Sequence, residues 1–199
     1  MTLYIGTNDV ALNYDPRFDA SLAQGLRDNQ MPSAQVMAAE RKRVQDAASA
    51  EARTAEEILA SGAQHLLVFK LFDLSYLPWF ESTAARDYVR ELTSVYNDQL
   101  VARLPKDPHL TILDTPAILD TPAFVDYLLA NADKYGFAHG AGEDACLESG
   151  QDYCNADAWK EPNADRTYIF VASEHFTTHA HELLADYVRK QISPGVAGS

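Results

Sequence analysis

The run His65-Leu66-Leu67-Val68-Phe69-Lys70-Leu71 constrains this chain more than any other feature. It is nearly continuously apolar over the length of one strand and has no polar face to show to water. Both faces must therefore be covered, which is the pattern of a strand in a parallel sheet flanked by helices. Other runs fit the same frame. Residues 2–5 are short, β-branched and aromatic, and close on Gly6 and the polar pair Asn8-Asp9. Residues 110–113 and 168–172 are two further strands, the latter standing before the last helical stretch.

Helical periodicity fills the intervals. Over residues 32–60, Val36, Met37, Glu40, Val44, Ala47, Ala48, Ala55, Ile58 and Leu59 mark a partly amphipathic helix with Gly62 in the C-terminal cap position, and its charged face reads as solvated. Residues 84–104 place Tyr88, Leu92, Val95, Tyr96, Leu100 and Leu104 on one stripe, and Pro105 and Pro108 stop that helix. Thr121-Pro122 offers an N-cap and a first-turn proline to a helix carrying Phe124, Val125, Leu128 and Leu129. Leu183, Leu184, Tyr187, Val188 and Ile192 form the apolar face of the last one. Residues 133–166 lack periodicity and read as one long loop. The expectation is an α/β fold of three layers, α/β/α, around a parallel sheet: one domain over residues 1–192, then a flexible tail at 193–199.

Charge narrows the partners. The net charge is −13 and the longest basic run is Arg41-Lys42-Arg43, which opposes binding to nucleic acid or to an anionic membrane. No apolar run approaches the roughly 20 residues of a membrane-spanning helix. The first residues contain no basic region followed by an apolar core, so no secretory leader is read there; they start as a strand running into a turn, as if a preceding piece of a domain were missing.

Ligands of parallel α/β sheets bind beyond the carboxyl ends of the strands, which directs attention to Asn8 after the first strand and His175 after the last. The Asn8 amide suits an oxyanion donor, and the His175 imidazole suits a general base. Taken singly, each also has an ordinary reading, a turn residue and a surface or capping histidine. The segment from Glu174 to Glu182 packs His175, His179 and His181 with two carboxylates, but the spacing is against a metal site. Thr177 or Thr178 is a good N-cap, which leaves His175 outside the helix that carries His181, and no His-Glu-x-x-His order is present. No cofactor is implied. Cys146 and Cys154 suit either a disulfide closing one loop or two free thiols.

Taken in order, these segments resemble the SGNH hydrolases, also called GDSL esterases and lipases. Gly6-Thr7-Asn8-Asp9 is similar to their Gly-x-Asn-Asp block. The segment from Tyr168 to Thr178 (YIFVASEHFTT) resembles the block read as Tyr-Leu-Phe-Trp-Asp-x-x-His-Pro-Thr-Thr, and His181-Glu182-Leu183-Leu184-Ala185 the helix after it. The segment from Lys70 to Pro78 is similar to Asn-Leu-Pro-Asp-Leu-Gly-x-Thr-Pro, and Tyr135-Gly136-Phe137 and the cysteine pair recur in the secreted and autotransporter-like subgroup. The resemblance implies hydrolysis of a carboxylic, lipid or acetyl-sugar ester through a serine acyl-enzyme. It also implies a secreted or extracellular location and a Cys146–Cys154 disulfide.

The departures matter as much. The chain contains no Gly-Asp-Ser, the family's nucleophile segment, and the position of the triad Asp is Ala172, with Phe176 in place of the Pro after the His. Losing a nucleophile costs on the order of 10⁶ in turnover and losing the orienting carboxylate about 10⁴. Glu174 and Asp165 are the carboxylates available as substitutes, although neighbours on extended backbone, such as Glu174 and His175, point to opposite sides. Ser75, Ser149 and Ser173 read as ordinary polar loop residues. The resemblance therefore implies an ester hydrolase scaffold that is inactive as this chain, or a non-catalytic binding protein derived from one. A sheet lacking strands would also expose an edge open to self-association.

Overall fold

A computed structural model describes residues 1–112, 115–116, 118–119, 121–148 and 153–192. The protein is mixed α/β and forms two compact units, residues 1–74 with 82–122 and residues 75–81 with 123–199. No helix among the described residues is long and apolar enough to cross a membrane. The expected tail, 193–199, lies outside the described residues.

The first unit contains β1 (Thr2–Leu3), α1 (Thr7–Ala11), α2 (Ala20–Arg27), α3 (Ala34–Ala60), β2 (Leu67–Phe69), α4 (Thr83–Arg103), β3 (Thr111–Ile112), β4 (Thr115–Pro116) and β5 (Ile118–Leu119). Strands β1, β2 and β5 form a parallel sheet in that order, with Leu3 opposite Val68 and Phe69 opposite Leu119. As its apolar run demands, β2 is buried at every residue. The strand expected at 110–113 is different. Thr111 and Ile112 turn back on β4 in an antiparallel hairpin, and β5 is the parallel neighbour of β2.

Both long helices start where hydroxyl caps allow. Ser33 accepts from the Val36 amide and Ser82 from the Ala85 amide. Helix α3 ends at Ser61, where Gly62 at φ +96° lets its amide reach Leu59 O and the Ala63 amide reach Ile58 O. Helix α3 packs along α4, burying Val44, Ala48, Ala52 and Ala55 of one and Tyr88, Leu92, Tyr96 and Leu100 of the other. The charged residues expected to be solvated are not wholly so, because Glu51 is buried, as is Glu40 of the stripe. Helix α2 was not legible in the sequence; Asp19 caps it through the Leu22 amide.

Helix α5 (Thr121–Ala130) runs into the second unit, which continues with β6 (His139–Asp144), α6 (Ala164–Thr167), β7 (Tyr168–Val171), β8 (His175–Phe176) and α7 (Thr178–Ile192). The expectation of a loop over 133–166 is corrected here. Residues 139–144 have neither alternation nor β-branching, yet pair parallel to β7 through an irregular register, and 164–167 form a helical turn. Strand β8 returns antiparallel to β7, giving the order β6-β7-β8. The strand before Asn8 and the strand before His175 thus belong to different hydrogen-bonded sheets.

Candidate functional site

Asn8 stands exposed in the first turn of α1. The turn that delivers it rests on Gly6, whose φ of +103° is open to glycine and whose α face is filled: a Cβ there would lie 2.3 Å from Cζ and Oη of Tyr96. The Gly6 carbonyl accepts from the Val10 amide at 3.0 Å, and the Arg43 guanidinium donates to the Asp9 carbonyl. Gly6 therefore sits directly on Tyr96.

Beneath the turn the two buried carboxylates of α3 have opposite environments. Glu40 receives Asn13 Nδ2 at 2.9 Å on Oε1, and Arg43 Nη2 at 2.9 Å and the Tyr88 hydroxyl at 2.7 Å on Oε2. Burial works against its ionisation, but Arg43, Tyr88 and Asn13 outweigh it and hold the carboxyl below its ordinary value. Glu51 has no such cation. Its Oε2 accepts from the Tyr96 hydroxyl at 2.6 Å and its Oε1 has no partner among the described residues. Burial pushes its carboxyl up to about 7; the Tyr96 bond opposes the shift and the nearby Asp9 adds to it.

His175 is exposed in β8, beyond a hairpin of unusual backbone. Ala172 and Ser173, both buried, have φ of +54° and +62°, a region that costs a side-chain-bearing residue about 1–3 kcal/mol unless its surroundings enforce it. Those surroundings are specific. Ser173 Oγ donates to Asp144 Oδ2 at 2.8 Å, the Trp79 amide donates to the Ser173 carbonyl at 3.1 Å, and the Ala172 amide donates to Cys146 Sγ at 3.3 Å. Asp144, itself buried, also accepts from the Cys146 amide at 2.8 Å. Cys146 and Cys154 are joined in a disulfide, against which Ala172, Val171, Ala158 and Trp159 pack.

Ser173 is therefore not the ordinary polar loop residue its sequence setting suggests; its hydroxyl is committed to a buried carboxylate. Ser75 is buried too, and Ser149 lies outside the described residues.

The hairpin opens on a cleft of about 390 Å³. Val171, Ala172, Phe176, Trp159 and Cys154 supply its apolar wall, and Tyr153, Asp165, Thr178, His175 and His181 its polar groups. His175 and His181 both reach this cleft although Thr177 separates their elements. The Thr177 hydroxyl accepts from the Ala180 amide, and its backbone carbonyl from that of His181. His181 meets the Phe176 ring edge-on at 5.8 Å, and burial of its ring, then the neighbouring His175, lowers its proton affinity below the ordinary value. Among the described residues no carboxylate hydrogen bond to His175 is present, and Asp165 is the acidic side chain lining its cleft. His179 faces away, with Nε2 2.8 Å from the Tyr135 carbonyl.

Among the described residues no group of three or more His, Cys, Asp or Glu side chains is arranged to hold a metal ion. Asn8 belongs to the first unit and His175 to the second. Sequence reasoning singled out both, and missed Asp144, Trp159 and Glu51, which carry no motif. Compared with models of protein families and with curated proteins, the chain matches none.

Proposed function

We propose that this chain is an SGNH-type ester hydrolase scaffold that does not itself turn over esters. In this reading, the finer architecture is the three-layer α/β/α arrangement of that family, with His175 in the place of the general base and Asn8 in that of the oxyanion donor. The parent substrate is a carboxylic, lipid or acetyl-sugar ester, and the setting is extracellular.

The observation that carries the reading is the hairpin. His175 lies at the mouth of a cleft, as a base must, while the triad-carboxylate position is a buried Ala172 whose amide is bonded to Cys146 Sγ. An imidazole without an orienting carboxylate can still accept a proton, but it activates nothing without a hydroxyl nucleophile within hydrogen-bond reach. Ser173 cannot serve, since its proton is directed at Asp144.

Hydrolysis of short-chain nitrophenyl esters tests this directly. The chain is expected to show no turnover above background, and Ala172→Asp is expected to add none, because it restores a carboxylate and not a nucleophile. Turnover that disappears in His175→Ala would overturn the reading.

A second reading, that the chain is a binding protein, is favoured by the cleft itself, whose apolar wall and convergent polar groups are those of a small-molecule site.

A further inference from the structure

We propose that the cleft beside His175 binds a small organic carboxylate carrying an apolar body, the carboxylate at His175 and His181 and the body against Trp159, Val171, Phe176 and the Cys146–Cys154 disulfide. The inference stands apart from ester hydrolysis, because the ligand needs no scissile bond.

The polar groups of the cleft are mostly donors. Tyr153 and Thr178 offer hydroxyls, and the two imidazoles become cations on protonation. The Trp159 indole Nε1–H is buried and has no acceptor among the described residues, and its ring borders the cleft. The Thr177–Thr178 end of the 15-residue α7 also borders the cleft, and its dipole favours negative charge. The same lining includes Val171, Ala172, Phe176 and Cys154 of the disulfide, which accept hydrocarbon. A donor-rich rim over an apolar wall selects an anion with a hydrophobic body over a bare inorganic ion.

The charged and titratable groups that face His175 come from the elements packed around the cleft. From α6 comes Asp165, from α7 His181, from the disulfide-closed segment Tyr153, and Glu174 precedes it in the chain. Arg166 of α6 is directed instead to Glu182, at 3.8 Å. Among the described residues Asp165 is the one carboxylate of the lining, and it repels the ligand. Affinity should therefore rise as the two imidazoles gain protons and fall once both are neutral.

The test uses the full oxidised chain and sodium hexanoate, with 1-hexanol, sodium acetate and sodium chloride as controls. Calorimetry and the imidazole C2–H and Trp159 Nε1–H resonances report binding. Hexanoate is expected to bind saturably at pH 5.5 and about tenfold more weakly at pH 8, while hexanol binds without pH dependence and acetate and chloride bind more weakly than hexanoate. His175→Gln and His181→Gln should each weaken hexanoate several-fold and leave hexanol unchanged, and Asp165→Asn should tighten it. The Trp159 indole proton should change its shift as the apolar body packs beside its ring, a readout that needs no substitution. Hexanoate binding equal at the two pH values, equal responses to hexanoate and chloride, or tighter binding in the histidine variants would overturn the proposal.

Discussion

The Tyr96 hydroxyl donates to Glu51 Oε2 at 2.6 Å while the ring of the same tyrosine lies against Gly6, so one side chain supports the turn that carries Asn8 and solvates a buried carboxyl. Glu40, eleven positions earlier on α3, is also buried but has Arg43 on it. That difference in partners gives the first unit a built-in response to pH.

Because the folded protein holds the Glu51 proton more tightly than the unfolded chain does, its contribution is full below the ordinary value of 4.5. It declines as pH rises through about 7 and is flat above that. The shift corresponds to at most about 3 kcal/mol. Urea unfolding at pH 5, 6, 7 and 8 should show this decline, and Glu51→Gln, which keeps an acceptor for Tyr96, should remove most of it. A variant with the same slope as the parent would assign the pH response to another group.

Gly6→Ala should destabilise the first unit by on the order of 2–4 kcal/mol, since it combines a disfavoured φ with a collision against the Tyr96 ring. The pair Gly6→Ala with Tyr96→Ala should cost less than the two changes added, because the collision is relieved while the backbone strain remains. Additivity within error would show that the turn does not rest on Tyr96.

Asp144 ties Ser173 to the start of the disulfide-closed segment. Asp144→Ala leaves the Ser173 hydroxyl and the Cys146 amide buried without their acceptor, an expected loss of about 2–4 kcal/mol in thermal or urea unfolding. Ser173→Ala removes one bond only and should cost less, about 1–2 kcal/mol. The His175 amide resonance should broaden or shift in both. A silent His175 would separate the brace from the histidine.

The disulfide closes a short loop, and loop-closure entropy puts its contribution at about 2–3 kcal/mol. Reduction should lower the melting temperature of the second unit and change the emission of Trp159, which packs on the sulfurs, while Trp79→Phe isolates that signal. Unchanged emission on full reduction would contradict the packing of Trp159 on the disulfide.

The legible parts of the fold are those whose determinants are local. Helices α3 and α4 follow from apolar spacing and from Ser33, Gly62 and Ser82 at their ends, and β2 from a run with no polar face. Thr177 separates His175 from His181 as a capping threonine would. The rest depends on partners distant in sequence. Residues His139 to Asp144 form a strand because β7 is beside them, and nothing in His-Gly-Ala-Gly-Glu-Asp announces it. Glu51 looks like one more surface charge on a helix rich in them until Tyr96 of α4 closes over it. Ala172 and Ser173 carry no glycine to signal a left-handed turn; Asp144, Cys146 and Trp79 impose it. At the candidate site the histidine was readable from its motif, and the cleft around it, assembled from six separate stretches of chain, was not.

The bond from Trp79 to Ser173 and that from the Tyr76 hydroxyl to Asp126 Oδ1, at 2.8 Å, join residues 75–81 to a unit whose other residues all follow Pro122. Every residue lining the cleft lies after Ala123, so a peptide cut there would keep the whole lining and lose the amide that holds the hairpin carbonyl. The cleft is therefore not portable as a terminal cassette. A graft onto another scaffold has to carry two pieces of chain, with the short one supplied in place of a residue-for-residue copy of everything between.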